Sequence, residues 1–322
     1  MARTLSLPDD YEVLDSTLDD IRRQLEPRFT ADDVQKLDSL QSYSRALDGT
    51  EFLPGLVGLN NIKLNEAVNC CVQALMCVRP LRDFMLRPEN YADASAVGAA
   101  AHLGRTPLVQ RFGELVRKIW NPYNFKAHVS PHELLQAISA ASSKRFRIGA
   151  YADPIDFLKW FLNQLHVDLG GTRKRNSSIV YGALQGELRV TTLTPVRVEG
   201  TTTLTTTAGG SGDAAASATG ALGVDTESGD DIAGAQYSES TALVPFLTLE
   251  LDIPPPPLFK DELQGNVIPQ VPIYLCFEKF NGIAMKKFLS GERRRYALTR
   301  LPPFLIVHLN RFTKNNFFVV SL

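Results

Sequence analysis

At 322 residues and 44% hydrophobic composition, the chain can bury a substantial core in one large or two small domains, which excludes wholesale disorder. The 34 Lys and Arg nearly cancel the 35 Asp and Glu, for a formal net charge of -1, so no global basic field directs the protein to nucleic acid or an anionic membrane. The opening residues contain no apolar core of signal-peptide length, and no later apolar stretch is long enough to span a bilayer, which points to an intracellular protein.

In chain order, Ser16 and Thr17 precede Leu18, Ile21 and Leu25, and Thr30 with Asp33 forms a capping box before Val34 and Leu37. Two short helices are expected there, as a helical lead over 1–50. A helix is next expected from about Glu66, with Val68, Val72 and Met76 on one face and Ala67, Cys71 and Leu75 beside it, stopped by Arg79-Pro80. Leu108, Phe112, Leu115, Val116 and Ile119 predict a further helix ending at Asn121-Pro122, its charged face merely solvated. Ser130-Pro131-His132-Glu133 reads as an N-cap, a first-turn proline and a capping-box glutamate ahead of Leu134, Leu135 and Ile138. Asp153-Pro154 repeats the start signal before Phe157, Leu158, Phe161, Leu162 and Leu165, with Trp160 widening the apolar face and Gly170-Gly171 ending the helix.

From about Ile179 the pattern turns to β-rich runs at 179–181, 188–193, 246–251, 273–277 and 304–312. Helices first and strands afterwards predict an α+β fold. The Thr-, Gly-, Ala- and Ser-rich tract at about 195–240 has almost no large apolar residues and is read as a disordered insertion, a bland linker. The basic runs Arg173, Lys174, Arg175 and Arg293, Arg294, Arg295 are read as solvated loops, with RNA contact as the competing reading and no direct nucleic-acid partner expected. Cys70, Cys71, Cys77 and Cys276 contain no Cys-x-x-Cys pair and are expected as buried small hydrophobes; no metal, cofactor or disulfide framework is indicated.

The most informative stretch is Gly58-Leu59-Asn60-Asn61-Ile62-Lys63-Leu64-Asn65-Glu66-Ala67-Val68-Asn69-Cys70-Cys71-Val72-Gln73. It resembles, without a gap, the cysteine box of ubiquitin-specific proteases, Gly-Leu-x-Asn-Leu-Gly-Asn-Thr-Cys-Phe-Met-Asn-Ser-x-Leu-Gln, with Gly58, Leu59, Asn61, Asn69 and Gln73 identical. In that family the box sets a cysteine at a helix start, where the dipole and a histidine favour the thiolate. Glu66 stands at that position, with Asn65 suited to an N-cap and Asn61 where the family keeps its oxyanion-stabilising side chain. Without a tetrahedral intermediate Asn61 is read as a loop residue satisfying backbone groups. A carboxylate would have to form an anhydride to act as an acyl-transfer nucleophile, so no catalytic residue is assigned.

Tyr151-Ala152-Asp153-Pro154-Ile155-Asp156-Phe157-Leu158 is similar to the family's Gln-Gln-Asp-Ala-Gln-Glu-Phe-Leu run, and 301–312 resembles its Leu-Pro-x-x-Leu-x-x-His-Leu-x-Arg-Phe strand. His308 is expected as a core histidine with one satisfied nitrogen. The family's base lies in a later Gly-His-Tyr box, ahead of which the sequence ends, and His102, His128, His132 and His166 carry no motif marking them as substitutes. The runs 109–115, 120–133, 268–272, 279–283 and 311–318 resemble a splicing-factor branch of the family that characteristically lacks the active-site cysteine.

The resemblance implies a papain-like fold with helical thumb and β palm over 51–322, C-terminally truncated. Leu7-Pro8-Asp9-Asp10-Tyr11 is similar to the last strand of a preceding zinc-finger ubiquitin-binding domain, which would then be missing ahead of 1–50. It further implies a nuclear protein that assembles or stabilises the spliceosomal tri-snRNP. Spliceosomal snRNP proteins would be its partners, with ubiquitin or a ubiquitin-like protein as a further candidate. The competing reading is an active cysteine deubiquitinase using Cys70 or Cys71.

Overall fold

Asp153 accepts the backbone N–H groups of Ile155 and Asp156 at 3.0 and 2.9 Å, and Pro154 supplies a first helical residue whose missing N–H costs nothing there. The helix that follows carries the centre of the core. This computed structural model describes residues 18, 21–22, 25–39, 42–46, 48–91, 106–195, 237–253, 271–314 and 319–321. The chain divides into two units, Met1–Gln185 with Pro302–Ile306, and Gly186–Leu301 with Val307–Leu322.

The first unit contains helices α1 (Ala31–Lys36), α2 (Glu66–Met76), α3 (Arg79–Leu86), α4 (Pro107–Trp120), α5 (His132–Ala141), α6 (Pro154–Asp168) and α7 (Ile179–Leu184). Short strands β1 (Ser44–Arg45) and β2 (Glu51–Phe52) pair antiparallel, and β3 (Gly58–Leu59) runs parallel to β4 (His128–Val129). The capping box at Thr30 and Asp33 is present in both directions, as expected. Most of the expected 16–25 helix lies outside the described residues, although Leu18, Ile21 and Leu25 are helical.

Phe112, Phe157 and Phe161 are fully buried, with Phe112 edge-on to Phe161 at 5.1 Å and Phe157 stacked on Phe161 at 5.4 Å. Leu81 and Met85 of α3, Ile119 of α4 and Leu134 and Ile138 of α5 complete this core. The apolar stripes read from the sequence on α2, α4, α5 and α6 all face inward. Gly170 adopts φ +75° just past α6, and Gly171 N–H returns to His166 O at 2.8 Å, so the glycine pair ends the helix as expected.

Several expectations fail locally. Arg79-Pro80 does not merely stop α2: α2 ends at Met76, and Pro80 sits in the first turn of α3, where proline is favoured. Ser130 does not cap α5; Pro131 occupies the cap position with no side-chain bond. The charged face of α4 is more than solvated. Arg111 bonds Glu114 and Glu133 at 2.7 and 3.2 Å, and Lys118 approaches the same two carboxylates, which ties α4 to α5. Residues 179–181 form helix α7 and not a strand, because Ser178 accepts Tyr181 N–H and directs Val180, Ala183 and Leu184 into the core.

In the second unit β5 (Gly186–Pro195), β6 (Tyr237–Phe246), β8 (Asn281–Lys287) and β9 (Arg293–Arg300) form an antiparallel sheet in the order β6-β5-β9-β8. β7 (Thr248–Asp252) pairs with β10 (Ile306–Asn310), and β11 (Phe312–Lys314) with β12 (Val319–Ser321). β5 and β6 keep register from Gly186↔Phe246 to Pro195↔Tyr237. The expected 195–240 insertion therefore narrows at both ends, since Pro195 and 237–240 are strand; the rest of it lies outside the described residues.

Residues 273–277 turn as a short helix, α8 (Ile273–Cys276), and not as a strand: Pro272 O accepts Leu275 N–H at 3.0 Å. Strands β8 and β9 have no counterpart in the expected set. The run 293–295 consequently belongs to β9 and not to a loop, with Arg295 paired to Glu239 at 2.7 Å, Arg294 to Glu292 at 2.9 Å and Arg293 over the Tyr237 ring at 4.9 Å.

Phe161→Ala removes a ring at the centre of the first unit, so we expect about 3 to 5 kcal/mol less stability in chemical denaturation of the full chain. Leu18→Ala, at an exposed residue, is expected to leave the transition within about 0.5 kcal/mol.

Candidate functional site

The box 58–73 passes from strand to turn to helix. β3 is held beside β4 and extended by Asn60 N–H donating to Val129 O at 3.0 Å. The turn then takes Leu64 to φ +47°, a conformation β-unbranched residues tolerate only when their surroundings hold it.

What holds it is Asn65, a buried side chain. Its Oδ1 accepts the N–H groups of Ile62 and Lys63 at 2.7 and 3.2 Å, and its Nδ2 donates to Asn60 O at 3.3 Å and Asn69 Oδ1 at 2.9 Å. Asn69 Nδ2 donates in turn to Asn60 O and Leu59 O at 3.2 and 3.4 Å, and Gln73 Nε2 to Val57 O at 2.7 Å. Asn65 does occupy the N-cap position of α2, but its side chain makes no cap bond because it is spent on the preceding turn. The expected capping role is thus corrected to a turn-fastening one.

Glu66 opens α2 and is exposed. Its Oε1 accepts from Asn61 Nδ2 at 2.6 Å, which fixes the amide orientation, since a carboxylate can only accept. Its own backbone N–H, first, and Asn61, second, hold the carboxyl below the usual glutamate value. Asn61 Oδ1 accepts Asn65 N–H at 3.5 Å, so the residue does satisfy a backbone group, yet its stronger bond goes to the carboxylate. The side chain that the sequence resemblance aligns with the family's oxyanion position is therefore engaged by the one that it aligns with the nucleophile position. As placed, the pair can accept hydrogen bonds and carry negative charge, and it offers no thiolate.

The cysteines divide. Cys71 and Cys276 are buried as expected, whereas Cys70 and Cys77 are exposed: Cys70 lies one turn from Glu66 on the outer face of α2, and Cys77 is the residue that caps its C-terminal end. The Cys71 thiol donates to Pro154 O at 3.5 Å, and burial, with smaller effects from Cys70 and Asp153, pushes it up to about 11, far from a reactive thiolate.

His308 lies on β10, but its Nδ1 is buried with no hydrogen-bond partner among the described residues, so the satisfied nitrogen expected there is not that one. His102 lies outside the described residues. His128 is on β4, and His132 meets Gln136 at 2.9 Å. His166 is buried between Ser178 Oγ at 2.7 Å and Thr172 O at 3.1 Å and stacks on Tyr181, an arrangement that no sequence signal marked. Among the described residues no three His, Cys, Asp or Glu side chains are placed to hold a metal ion.

The family model described as ubiquitin carboxyl-terminal hydrolase matches residues 57–321. The chain is 44% identical over 318 residues to "Ubiquitin carboxyl-terminal hydrolase 39" of Homo sapiens, which covers 97% of this chain and 51% of that protein. It is 37% identical over 317 residues to "Probable mRNA-splicing protein ubp10" of Schizosaccharomyces pombe, covering 97% and 55%. The chain thus spans about half the length of the curated relatives it matches. The solved structure "Crystal structure of an essential yeast splicing factor" superposes with a TM-score of 0.59 at 21% identity, covering 98% of this chain and 60% of that one, which shows the shared fold. The splicing names agree with the branch that the longer sequence runs resemble.

The Asn61 bond has a titration signature. Because the folded carboxyl is held low, its contribution to stability is complete above the ordinary glutamate value and is lost as pH falls through the lowered one. In an NMR titration the Glu66 side-chain carbon should titrate below an ordinary glutamate, and Asn61→Ala should move the midpoint upward. An unmoved midpoint would show that the bond does not hold the carboxylate in solution.

Proposed function

Because the chain belongs to the ubiquitin carboxyl-terminal hydrolase family, we propose that it is a catalytically inactive member acting as a scaffold in pre-mRNA splicing. On this reading it assembles or stabilises the spliceosomal tri-snRNP in the nucleus through spliceosomal snRNP proteins, with ubiquitin or a ubiquitin-like protein as a further partner. The relatives named for splicing support the process. The observation that carries inactivity is the 2.6 Å bond from Asn61 Nδ2 to Glu66 Oε1.

An isopeptide hydrolase of this type needs a thiolate at the start of α2 and a free donor for the tetrahedral oxyanion. Glu66 denies both at once. As a carboxylate it would have to attack through an anhydride, and it engages the amide that would have met the oxyanion. The box nevertheless stays folded, because the side chains of Asn65 and Asn69 bond to backbone and to each other and that of Gln73 bonds to Val57 O, none of these bonds involving Glu66. A surface kept in family shape without its chemistry suits recognition.

One observation favours the competing reading, a cysteine deubiquitinase: Cys70 is exposed one turn from Glu66. Being a turn inside α2, it lacks the helix-start field that would stabilise a thiolate. A ubiquitin probe carrying a thiol-reactive C-terminal group separates the readings. The wild-type chain is expected to form no covalent adduct under conditions that label an active family member, and an adduct abolished by Cys70→Ala would establish the hydrolase. For the scaffold role, replacement of the endogenous protein by Glu66→Ala is expected to preserve tri-snRNP levels on a sedimentation gradient. Depletion is expected to lower them, and unchanged levels after depletion would overturn it.

A further inference from the structure

The loop between α6 and α7 presents Arg173, Lys174, Arg175 and Asn176, all exposed, followed by Ser177 and Ser178. Asn176 takes φ +54°, which turns the chain back on itself with a residue that tolerates the left-handed region. The base of the loop is anchored from beneath. Thr172 O can only accept, so His166 Nε2 carries the proton at that 3.1 Å contact; Nδ1 is then the acceptor, and the Ser178 hydroxyl donates to it at 2.7 Å. Ser178 Oγ also accepts Tyr181 N–H at 3.3 Å, so this hydroxyl is committed to the buried histidine and the start of α7.

Ser177, half-buried like Ser178, differs in its partners. Its Oγ donates to Thr172 O at 2.8 Å and accepts Thr172 N–H at 3.0 Å, both exposed bonds within the loop rim. No core group depends on it, since Thr172 O keeps its second donor, His166, if Ser177 lets go. Lys174 and Arg175 stand three and two residues before it, with Arg173 one further back. Cations at those offsets from a releasable hydroxyl match the acidic substrate grooves by which one class of protein kinases selects serines.

We propose that Ser177 is a phosphorylation site for kinases of basic substrate preference, and that its modification neutralises this cationic loop. In the transfer, Ser177 Oγ bonds to the γ-phosphorus of ATP as the bond to the β–γ bridging oxygen breaks. ADP leaves with that electron pair, and the hydroxyl proton passes to the kinase's general base. The product brings a charge of about −1.5 to −2 to a loop holding three cations, and Oγ no longer donates to Thr172 O. Thr172 N–H keeps an acceptor, now an anionic one, so α7 and its anchor stay in place.

The test uses the folded full chain, ATP and the catalytic subunit of cyclic-AMP-dependent protein kinase, with an acid-directed kinase as control. Tandem mass spectrometry is expected to place one phosphoryl group on Ser177 with the basic-directed enzyme only. Ser177→Ala should abolish it, Ser178→Ala should leave it, and the double variant Lys174→Ala with Arg175→Ala should slow it by roughly tenfold or more. The modified chain should keep the wild-type thermal transition and shift the His166 ring resonances through the shared Thr172 carbonyl. The proposal is overturned by phosphate on Ser178 with Ser177 unmodified, by a rate indifferent to the cation substitutions, or by modification of the heat-unfolded chain alone.

Discussion

The candidate site rests on one buried amide. Asn65 has two acceptor positions on Oδ1 and two donor hydrogens on Nδ2, and all four are used. A buried amide left partly unsatisfied would cost about 1 to 3 kcal/mol per missing bond, so this set admits little alternative geometry. It fixes the turn that carries Leu64 into positive φ, joins the end of β3 to Asn69 on α2, and leaves Glu66 as the first helical residue. The placement of Asn61 and Glu66 follows from it.

That arrangement separates shape from chemistry. In an active member of the family the residue at the helix start is the reactive one, yet the bonds that position it here all come from its neighbours. On the proposed reading, a carboxylate in the nucleophile's place need not disturb the scaffold, and a first-turn carboxylate is favoured by the helix dipole and by its own N–H. The same carboxylate engages the Asn61 amide, which on that reading is the group that would have met an oxyanion. The fold of the turn thus rests on Asn65, Asn69 and Gln73, and on the proposed reading the loss of hydrolysis rests on Glu66.

The remainder of the first unit gives this turn a rigid backing. The rings of Phe112, Phe157 and Phe161 pack between α4 and α6, and Cys71 on the inner face of α2 reaches Pro154 O at the start of α6. The helix bearing Glu66 is in this way fastened to the helix that Asp153-Pro154 starts. Arg82, buried between Asp38 and Asp83 and set over Trp120, joins α3 to the residues just after α1. Satisfied ion pairs of this kind secure geometry more than they add stability.

The sequence by itself determined the α+β order, the inward stripes of α2, α4, α5 and α6, the caps at Thr30 and Asp153, and the carboxylate of Glu66 at the start of α2. Each is a local property, written in residues within a few positions of one another. It did not determine 179–181 or 273–277, where short apolar runs suit helix and strand equally and a serine cap or a proline carbonyl decides. Nor did it yield β8 or the arginine-rich β9, which lack the alternation that betrays a half-buried sheet; β9 pairs with β5, and β8 pairs in turn with β9. The exposure of Cys70, the anchoring of the 173–178 loop by His166, and the bond from Asn61 to Glu66 also belong to the tertiary structure alone. They depend on which groups of distant or folded-back segments meet, and side-chain hydrogen bonds of that kind leave no periodicity in the chain.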